Sequence, residues 1–292
     1  NTFSSLAGAF AAAAELSGHV RITIQDNGTY DMPKTLALTA NLVRVDLRAW
    51  DGPRPLVRGD VTIDVATPGA HVVLDGIVLD GTVTIDASAP HFRLELQDAT
   101  LVPLRQPSVL SAAMLLDAHV LLRRSICGRV VLPELGTRLD ASESILDGAG
   151  ANAIEGPRAT AGPETTLREC TVLGGVHAYA ADVRGSIVEG ALTVEAGDAS
   201  SAGHSMIRRV DGFDVPRSVR AVRTRFVSRR YGTDGYGGLP LDADPFLLGG
   251  ASNGEELGAF HAAATGRRLA NVRTVLDEYV PYGIVAGVID EG

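Results

Sequence analysis

Two aspartates, Asp75 and Asp80, bracket the apolar segment Gly76–Leu79 and are the best candidate pair of carboxylates for acid–base chemistry. If the chain coils so that successive turns stack, Asp64 or Asp98 would lie near this pair. Clustered carboxylates of this kind can hold Ca²⁺ or move a proton. Single acids at the corners of a coiled chain more often cap turns and face solvent. We favour that interpretation and predict no catalytic residue.

The histidines and cysteines do not have the spacing of a metal or thiol site. Seven histidines are scattered, and no two are placed to share one helix face. His71, His91 and His119 each lie near the start of an apolar run and would form a column at one corner if those runs stack; we favour a structural role. Cys127 and Cys170 are too few for a disulfide framework and are interpreted as free thiols. The sequence predicts no metal and no cofactor.

A concentration of arginine between Arg208 and Arg230 is the strongest local charge anomaly. Eight arginines stand there against Asp211 and Asp214. The segment could dock an acidic partner or an anionic glycan. Alternatively, its arginines could pair with the acids that follow, and we favour this second interpretation; those acids are Asp242, Asp244, Glu255 and Glu256.

Two tyrosines follow the arginines in a glycine-rich stretch and complete a candidate binding set. Rigid aromatic side chains beside arginine are typical anchors of protein interfaces. The candidate binding residues are therefore Arg229, Arg230, Tyr231 and Tyr236. The alternative is that both tyrosines only pin the loop to the rest of the molecule.

Composition and charge narrow the class of protein. The 292 residues are 45% hydrophobic, with 33 glycines and only 5% aromatic residues, which favours short strands and tight turns. A net charge of −9 argues against general nucleic-acid binding. No apolar run is long enough to span a bilayer. Leu6–Leu16 is too short for a signal peptide and lacks its basic flank. Because the chain starts at Asn1, we expect a processed or truncated N-terminus.

A short sequence motif, a Ser or Thr followed by two apolar residues and a turn, recurs along the chain, and we call it the repeated phrase. The segment Thr171–Gly175 returns fifteen residues later as Ser186–Gly190, and looser copies occur upstream. Successive hydroxyl positions are fifteen to twenty-seven residues apart, and they are Thr100, Ser125, Ser144, Thr171 and Ser186. A parallel β-helix tolerates such irregular spacing, because a loop of any length can leave one corner of a coil. We predict that these phrases are stacked coils.

Alternating apolar and polar runs between the phrases supply the remaining strands. Three strands per coil, stacked about 4.8 Å apart, would give roughly eight to ten coils. The predicted fold is all-β, a right-handed parallel β-helix over 21–204. An N-terminal helical cap would occupy 1–20. A capping and interaction segment with helical spacing over 253–279 would occupy 205–292 and pack on the last coil. Aspartate in place of Ile145 or Val172 would then bury an unpaired charge in the core.

Both ends of the chain resemble known β-helix proteins. Ile22–Tyr30 resembles the entry strand of pectate-lyase-like right-handed β-helices, and Asp51–Arg58 resembles the opening of one subgroup. The C-terminal stretches are similar to large bacterial β-helix proteins encoded with phage-tail-like contractile injection systems; they are Phe226–Gly232, Gly235–Tyr236, Asn253–Phe260 and Leu276–Gly283.

This resemblance implies a non-catalytic structural or surface-binding component of a tail-like particle. The implied partners are other proteins of the particle, with a cell-surface glycan as a further partner. The implied location is the bacterial cytoplasm during assembly, or outside the cell after release. The alternatives are a carbohydrate-active β-helix enzyme, either a polysaccharide lyase or a glycoside hydrolase, and a glycan-binding module. Trp50 is the only tryptophan, so an aromatic ladder for sugars has little support.

Overall fold

The computed structural model describes residues 2–39, 42–104, 107–111, 115 and 117–263. The chain forms a parallel β-solenoid of about eight turns, which confirms the predicted fold class. Two α-helices occur in the described ranges, α1 (Leu6–Ala14) and α2 (Pro245–Gly249). The predicted helix over 253–279 does not begin at Asn253, because 253–260 form turns, and 264–279 lies outside the described residues.

The strands, numbered along the chain, are β1 (Gly18–Ile24), β2 (Thr29–Asp31), β3 (Thr35–Leu38), β4 (Leu42–Ala49), β5 (Leu56–Arg58), β6 (Val61–Val65), β7 (His71–Asp75), β8 (Val78–Asp80), β9 (Val83–Ala87), β10 (Arg93–Gln97), β11 (Thr100–Leu101), β12 (Val109–Leu110), β13 (Ala118–Arg123), β14 (Ile126–Cys127), β15 (Val130–Val131), β16 (Thr137–Ser142), β17 (Ile145–Glu155), β18 (Glu164–Arg168), β19 (Thr171–Ala178), β20 (Ala181–Arg184), β21 (Ile187–Val194), β22 (Ser201–Gly203), β23 (Ser205–Asp211) and β24 (Val219–Arg220). Short 3₁₀ turns lie at Pro157–Ala159, Gly197–Ala199 and His261–Ala263.

Every third strand of the first coils stacks on its equivalent in the next coil. Sheet 1 has nine parallel strands in the order β1-β4-β7-β10-β13-β16-β18-β20-β22. Sheet 2 begins β2-β5-β8-β11-β14, and sheet 3 begins β3-β6-β9-β12-β15. From β17 onward, each coil has one long bent strand that belongs to both sheet 2 and sheet 3, so the later coils need fewer residues. Arg44 pairs with His71, 27 positions away, whereas Thr165 pairs with Ala181, 16 positions away.

A tight corner after sheet 1 recurs in seven consecutive coils. The residue at this corner has a left-handed backbone with φ between 46° and 71°; the seven are Gly76, Asp98, Arg124, Glu143, Glu169, Gly185 and His204. Five of them are not glycine, and this conformation costs such a residue about 1 kcal/mol or more. The corner amides bond to the next coil, for example from the Arg124 N–H to the Ser142 carbonyl at 3.0 Å.

The residue after each corner points inward and, in the later coils, carries a hydroxyl or thiol. This column consists of Ile77, Ala99, Ser125, Ser144, Cys170, Ser186 and Ser205, all buried. The Ser144 hydroxyl accepts from the Ser125 N–H at 3.1 Å and donates to the Ser142 carbonyl at 2.7 Å. Thr100 and Thr171 lie one position further along and pair with Ile126 and Ile145, so the predicted hydroxyl column was wrong at these two places.

Apolar side chains of all three sheets fill the interior in one continuous cluster. Val172 is fully buried there, whereas Ile145 belongs to a second cluster on the outside of sheet 2. Helix α1 packs Leu6 and Phe10 onto the first coil, and its N-cap Ser5 hydroxyl accepts from the Gly8 N–H at 3.2 Å. This helix covers one end of the solenoid as predicted.

The chain after β24 folds back along the flank of the solenoid. Residues 221–263, which we call the strap, bury five side chains against Ile145, Leu173, Ile187 and Met206; these five are Phe226, Tyr236, Leu247, Ala251 and Leu257. The sequence predicted a segment over 205–292 that packs on the last coil. Its part over 221–263 contacts the outer side of sheet 2, because that side presents apolar residues, and 264–292 lies outside the described residues. Strand pairing also continues past position 204, through β23 and β24.

Replacing Ser144 with alanine should lower the free energy of unfolding by about 1–3 kcal/mol, because the buried Ser125 N–H loses its acceptor. Ser144→Cys should recover part of this loss, since Cys170 fills the equivalent position in the next coil. Urea denaturation of the three proteins measures the difference. Equal destabilisation by alanine and cysteine would contradict a hydrogen-bonding role for this column.

Candidate binding groove

The strap and the bent strands β17, β19 and β21 enclose a groove of about 980 Å³. We call it the strap groove. Its floor is rich in glycine, because the long strands pass one another closely at the bend. A side chain at Gly190 would come within 2.5 Å of the Gly175 backbone nitrogen, so only glycine fits there. The repeated phrase in the sequence therefore builds both a corner and the floor of this groove.

Three carboxylates line the strap groove, and each contacts a donor of the same chain. Asp147 accepts from the Tyr236 hydroxyl at 2.6 Å. Glu155 is buried and forms an ion pair with Arg129, and it accepts from the Asn152 side-chain amide at 3.0 Å. Glu189 forms an ion pair with Arg229. These acids tie the strap and neighbouring coils together.

Arg229, Arg230 and Tyr231 all line the strap groove, so the structure brings together three of the four predicted binding residues. Arg230 is exposed, and Arg208 from the last long strand joins it in the lining. The Arg229 guanidinium also lies over the Phe226 ring, 5.6 Å from its centre. Burial raises the pKa of Tyr231, so this phenol is a neutral donor at physiological pH.

Tyr236 lies beneath the groove, only 7% exposed, in the apolar contact between strap and solenoid. Its ring meets the Tyr231 ring edge to face, with centres 5.7 Å apart. Burial, followed by the hydrogen bond to Asp147, strongly raises the pKa of its hydroxyl. For Tyr236 the geometry therefore fits the alternative considered above, in which the tyrosine pins the loop.

One ion pair predicted for the arginine-rich run joins Arg225 and Asp242. Arg225 lies 3.7 Å from Asp242, and both side chains are largely exposed. Asp244 instead caps helix α2 by accepting from the Phe246 N–H at 2.8 Å. The Arg220 guanidinium lies 4.9 Å from the centre of the Phe246 ring. Cation–π contacts and helix capping thus replace part of the expected charge pairing.

The structure separates the candidate aspartates. Asp75 is on β7 in sheet 1, Asp80 is on β8 in sheet 2, and Asp64 is on β6 in sheet 3. Asp98 does lie near Asp75, but it bonds the Arg124 guanidinium at 2.7 Å. Burial raises the pKa of Asp75 despite Arg48 at 3.5 Å, and the hydrogen bond from Arg124 lowers that of Asp98.

The histidine column expected at one corner does not form. His71 and His119 lie on sheet 1 with Arg93 in register between them. His91 is at the corner that precedes sheet 1, where it contacts Asp117. No group of three metal-binding side chains occurs within the described residues. Cys127 and Cys170 are free and buried, and burial raises the pKa of each thiol to about 12.

Sequence reasoning missed Asp147 and Glu189 as groove residues, although a signal for them exists. Each is an acid followed by glycine directly after a copy of the repeated phrase, as Asp147-Gly148 and Glu189-Gly190. Asp147 pairs with Leu173, whose neighbour Val172 pairs with Val188, so the two acids lie two coils apart on one side. The shared dipeptide marks the bend where sheet 2 runs into sheet 3.

Comparison of the chain with protein-family models, with curated proteins and with solved structures gave no match. Across the described part of the chain, no helix is long and apolar enough to cross a membrane.

Ile145→Asp and Val172→Asp should have different effects, because Ile145 faces the strap and Val172 faces the core. The first should expose the strap to limited proteolysis while the β-sheet circular dichroism signal persists. The second should abolish the folded state, because it buries an unpaired charge. Protease resistance of the strap in Ile145→Asp, or loss of all β signal in that variant, would contradict a separate strap layer.

Proposed function

We propose that the protein is a non-catalytic structural and surface-binding β-solenoid of a phage-tail-like contractile injection particle. The strap groove is its contact with another protein of the particle. Support for the particle comes from the resemblance of the C-terminal stretches to β-helix proteins encoded with such systems. Support for the contact comes from the position of three of the four predicted binding residues, which all lie in the lining of the strap groove.

The observation that carries a binding role is the engagement of every carboxylate in the groove. Asp147, Glu155 and Glu189 already bond Tyr236, Arg129 and Arg229 respectively. A general acid or base needs a carboxyl group that can reach the substrate and exchange a proton with it. Carboxylates that are hydrogen-bonded or ion-paired to other side chains of the same chain instead hold the groove in one shape. This arrangement favours recognition of a partner without turnover.

The donors that remain at the surface determine which partner would fit. Arg208 and Arg230 expose guanidinium groups at the groove, and Tyr231 offers a half-buried ring with a hydroxyl. Arginine and tyrosine are the side chains that most often dominate protein interfaces. A partner segment that carries an acidic side chain beside an apolar one matches this arrangement.

A carbohydrate-active enzyme is the second candidate, and one feature of the groove favours it. Asp147 and Glu189 lie two coils apart, about 10 Å by the spacing of parallel strands. Inverting glycosidases place their carboxyl groups at about 6.5–9.5 Å. Catalysis would require both acids to leave Tyr236 and Arg229, which is why we rank binding first.

Arg230→Ala combined with Tyr231→Ala should reduce incorporation into particles about tenfold or more, since hot-spot truncations cost 2 kcal/mol or more. The variant should lose about 1 kcal/mol of stability, because Tyr231 packs at the edge of the strap's apolar cluster and against the Tyr236 ring, so incorporation is compared for equal amounts of folded protein. The measurement is the amount of full chain that sediments with particles after co-expression with the other particle proteins.

Tyr236→Phe is the matched control. It removes the hydroxyl bond to Asp147 and should lower stability by about 1 kcal/mol while incorporation of the folded fraction stays normal. Unchanged incorporation of the Arg230/Tyr231 variant would refute the contact. Turnover of pectate, alginate, hyaluronan or peptidoglycan fragments that Asp147→Asn or Glu189→Gln abolishes would establish the enzyme instead.

A further inference from the structure

A second surface, on the outer side of sheet 1, carries a row of six basic side chains in exact strand register. Arginine and histidine alternate along it, one residue per coil, in the order His19, Arg44, His71, Arg93, His119 and Arg138. We call it the basic row. Neighbouring members are one strand spacing apart, about 4.8 Å, so the row runs about 24 Å along the solenoid.

A second row, two residues further along each strand, alternates with the same two-coil period. Asp46, Glu95 and Asp140 occupy it in the arginine coils, and Val73 and Leu121 occupy it between them. Each acid contacts the imidazole of the histidine in the preceding coil. These histidine–carboxylate distances are 3.0 Å for His19–Asp46, 3.4 Å for His71–Glu95 and 2.6 Å for His119–Asp140.

Two of the three acids lie beneath the cations, while Asp140 is 35% exposed and Glu164 of the next coil pairs with Arg138 at 3.1 Å, so the exposed positive charge is concentrated over the first four coils of the row. Asp46 is fully buried and Glu95 is 11% exposed at the side chain, whereas Arg93 is 40% and Arg138 is 59% exposed. The Arg44 guanidinium bonds Asp46 at 2.7 Å, which holds the arginine in place. Burial opposes ionisation of Asp46, but the bonds from Arg44 and His19 outweigh it and lower its pKa.

This surface is basic on an acidic protein. Strands β1, β4, β7, β10, β13 and β16 together carry six arginines and four acids, while the whole chain carries a net charge of −9. The arginines are Arg21, Arg44, Arg48, Arg93, Arg123 and Arg138, and the acids are Asp46, Asp75, Glu95 and Asp140. A flat basic strip of this length attracts a linear polyanion.

We infer that the basic row binds a linear acidic polysaccharide with one anionic group per disaccharide. The arginines recur every second coil, about 10 Å apart, which is close to the length of a disaccharide in an extended chain. The His19 imidazole is 45% exposed and can bond a sugar hydroxyl through the ring nitrogen that does not face Asp46. None of the six strands carries Phe, Tyr or Trp, so nucleobases find no stacking partner on this surface. This site uses no residue of the strap groove.

Binding of a hyaluronan oligosaccharide to the full chain, measured by calorimetry at low and physiological salt, tests the inference. We expect binding that weakens as salt rises, since the contacts are surface charges. Arg93→Gln combined with Arg138→Gln should weaken it about tenfold. Arg158→Gln combined with Arg217→Gln removes the same charge elsewhere on the surface and should change it by less than about twofold.

Two further variants keep the test decisive if the Arg93 variant folds poorly. Arg138→Gln alone removes an exposed guanidinium together with its ion pair to Glu164, and Thr23→Glu adds a negative charge to β1. Each should weaken binding about threefold. Equal affinity for neutral dextran or for oligothymidine, or equal weakening by the Arg158/Arg217 control, would overturn the proposal. Loss of binding in the Arg230/Tyr231 variant would place the polysaccharide in the strap groove instead.

Discussion

The left-handed corner that follows sheet 1 is the constraint on which the rest of the structure depends. A β-strand that turned one residue later would reverse the side of every following residue. Seven consecutive coils turn at the same place, and five pay the conformational cost with a residue other than glycine. Amide bonds between corners and the inward column led by Ser125 and Ser144 offset that cost, because they satisfy buried N–H groups.

Because the corner is fixed, outward side chains stack in straight rows along the solenoid. Like charges that are adjacent in such a row would repel each other. At the corner itself the sign of the charge alternates from Asp98 to Arg124 to Glu143, and Asp98 and Arg124 contact at 2.7 Å. On sheet 1 the same problem has a different solution. The acids recur every second coil beside the basic row, and Asp46 and Glu95 are covered by it, so like charges are separated by an aliphatic or imidazole neighbour.

Much of the solenoid could be predicted from sequence, because each strand carries its own alternation. Val61–Val65 alternates apolar and polar residues and forms β6 over these same five residues, and the free cysteines followed from their number. The hydroxyl column was misplaced at Thr100 and Thr171, since serine, threonine and cysteine all fit the phrase and only the corner distinguishes them. The basic row was missed because its period is two coils: Arg44, Arg93 and Arg138 each precede an acid by two positions, at separations of 49 and 45 residues.

The position of the strap could not be predicted for a different reason. Ile145 and Ile187 face outward, yet they are as apolar as the inward Leu146 and Val188 beside them. The alternation of apolar and polar residues predicts one apolar side for a strand, whereas these strands have two apolar sides. The outward apolar patch becomes recognisable only when the coils are aligned. From the sequence alone, the C-terminal segment was therefore assigned to the open end of the solenoid, where exposed strand edges also need to be covered.

Covering this patch also creates the strap groove. The apolar contact under the strap ends where the long strands bend, and at that point the coils present Asp147 and Glu189 in place of isoleucine. These acids hold Tyr236 and Arg229, so one edge of the strap is fixed by polar contacts and the rest by burial. The walls of the groove therefore come from two layers, which are held together by these polar contacts and by the apolar contact beside them. A partner that contacts both walls stabilises the strap on the solenoid by its own binding free energy, which couples recognition to the folding of the C-terminal part.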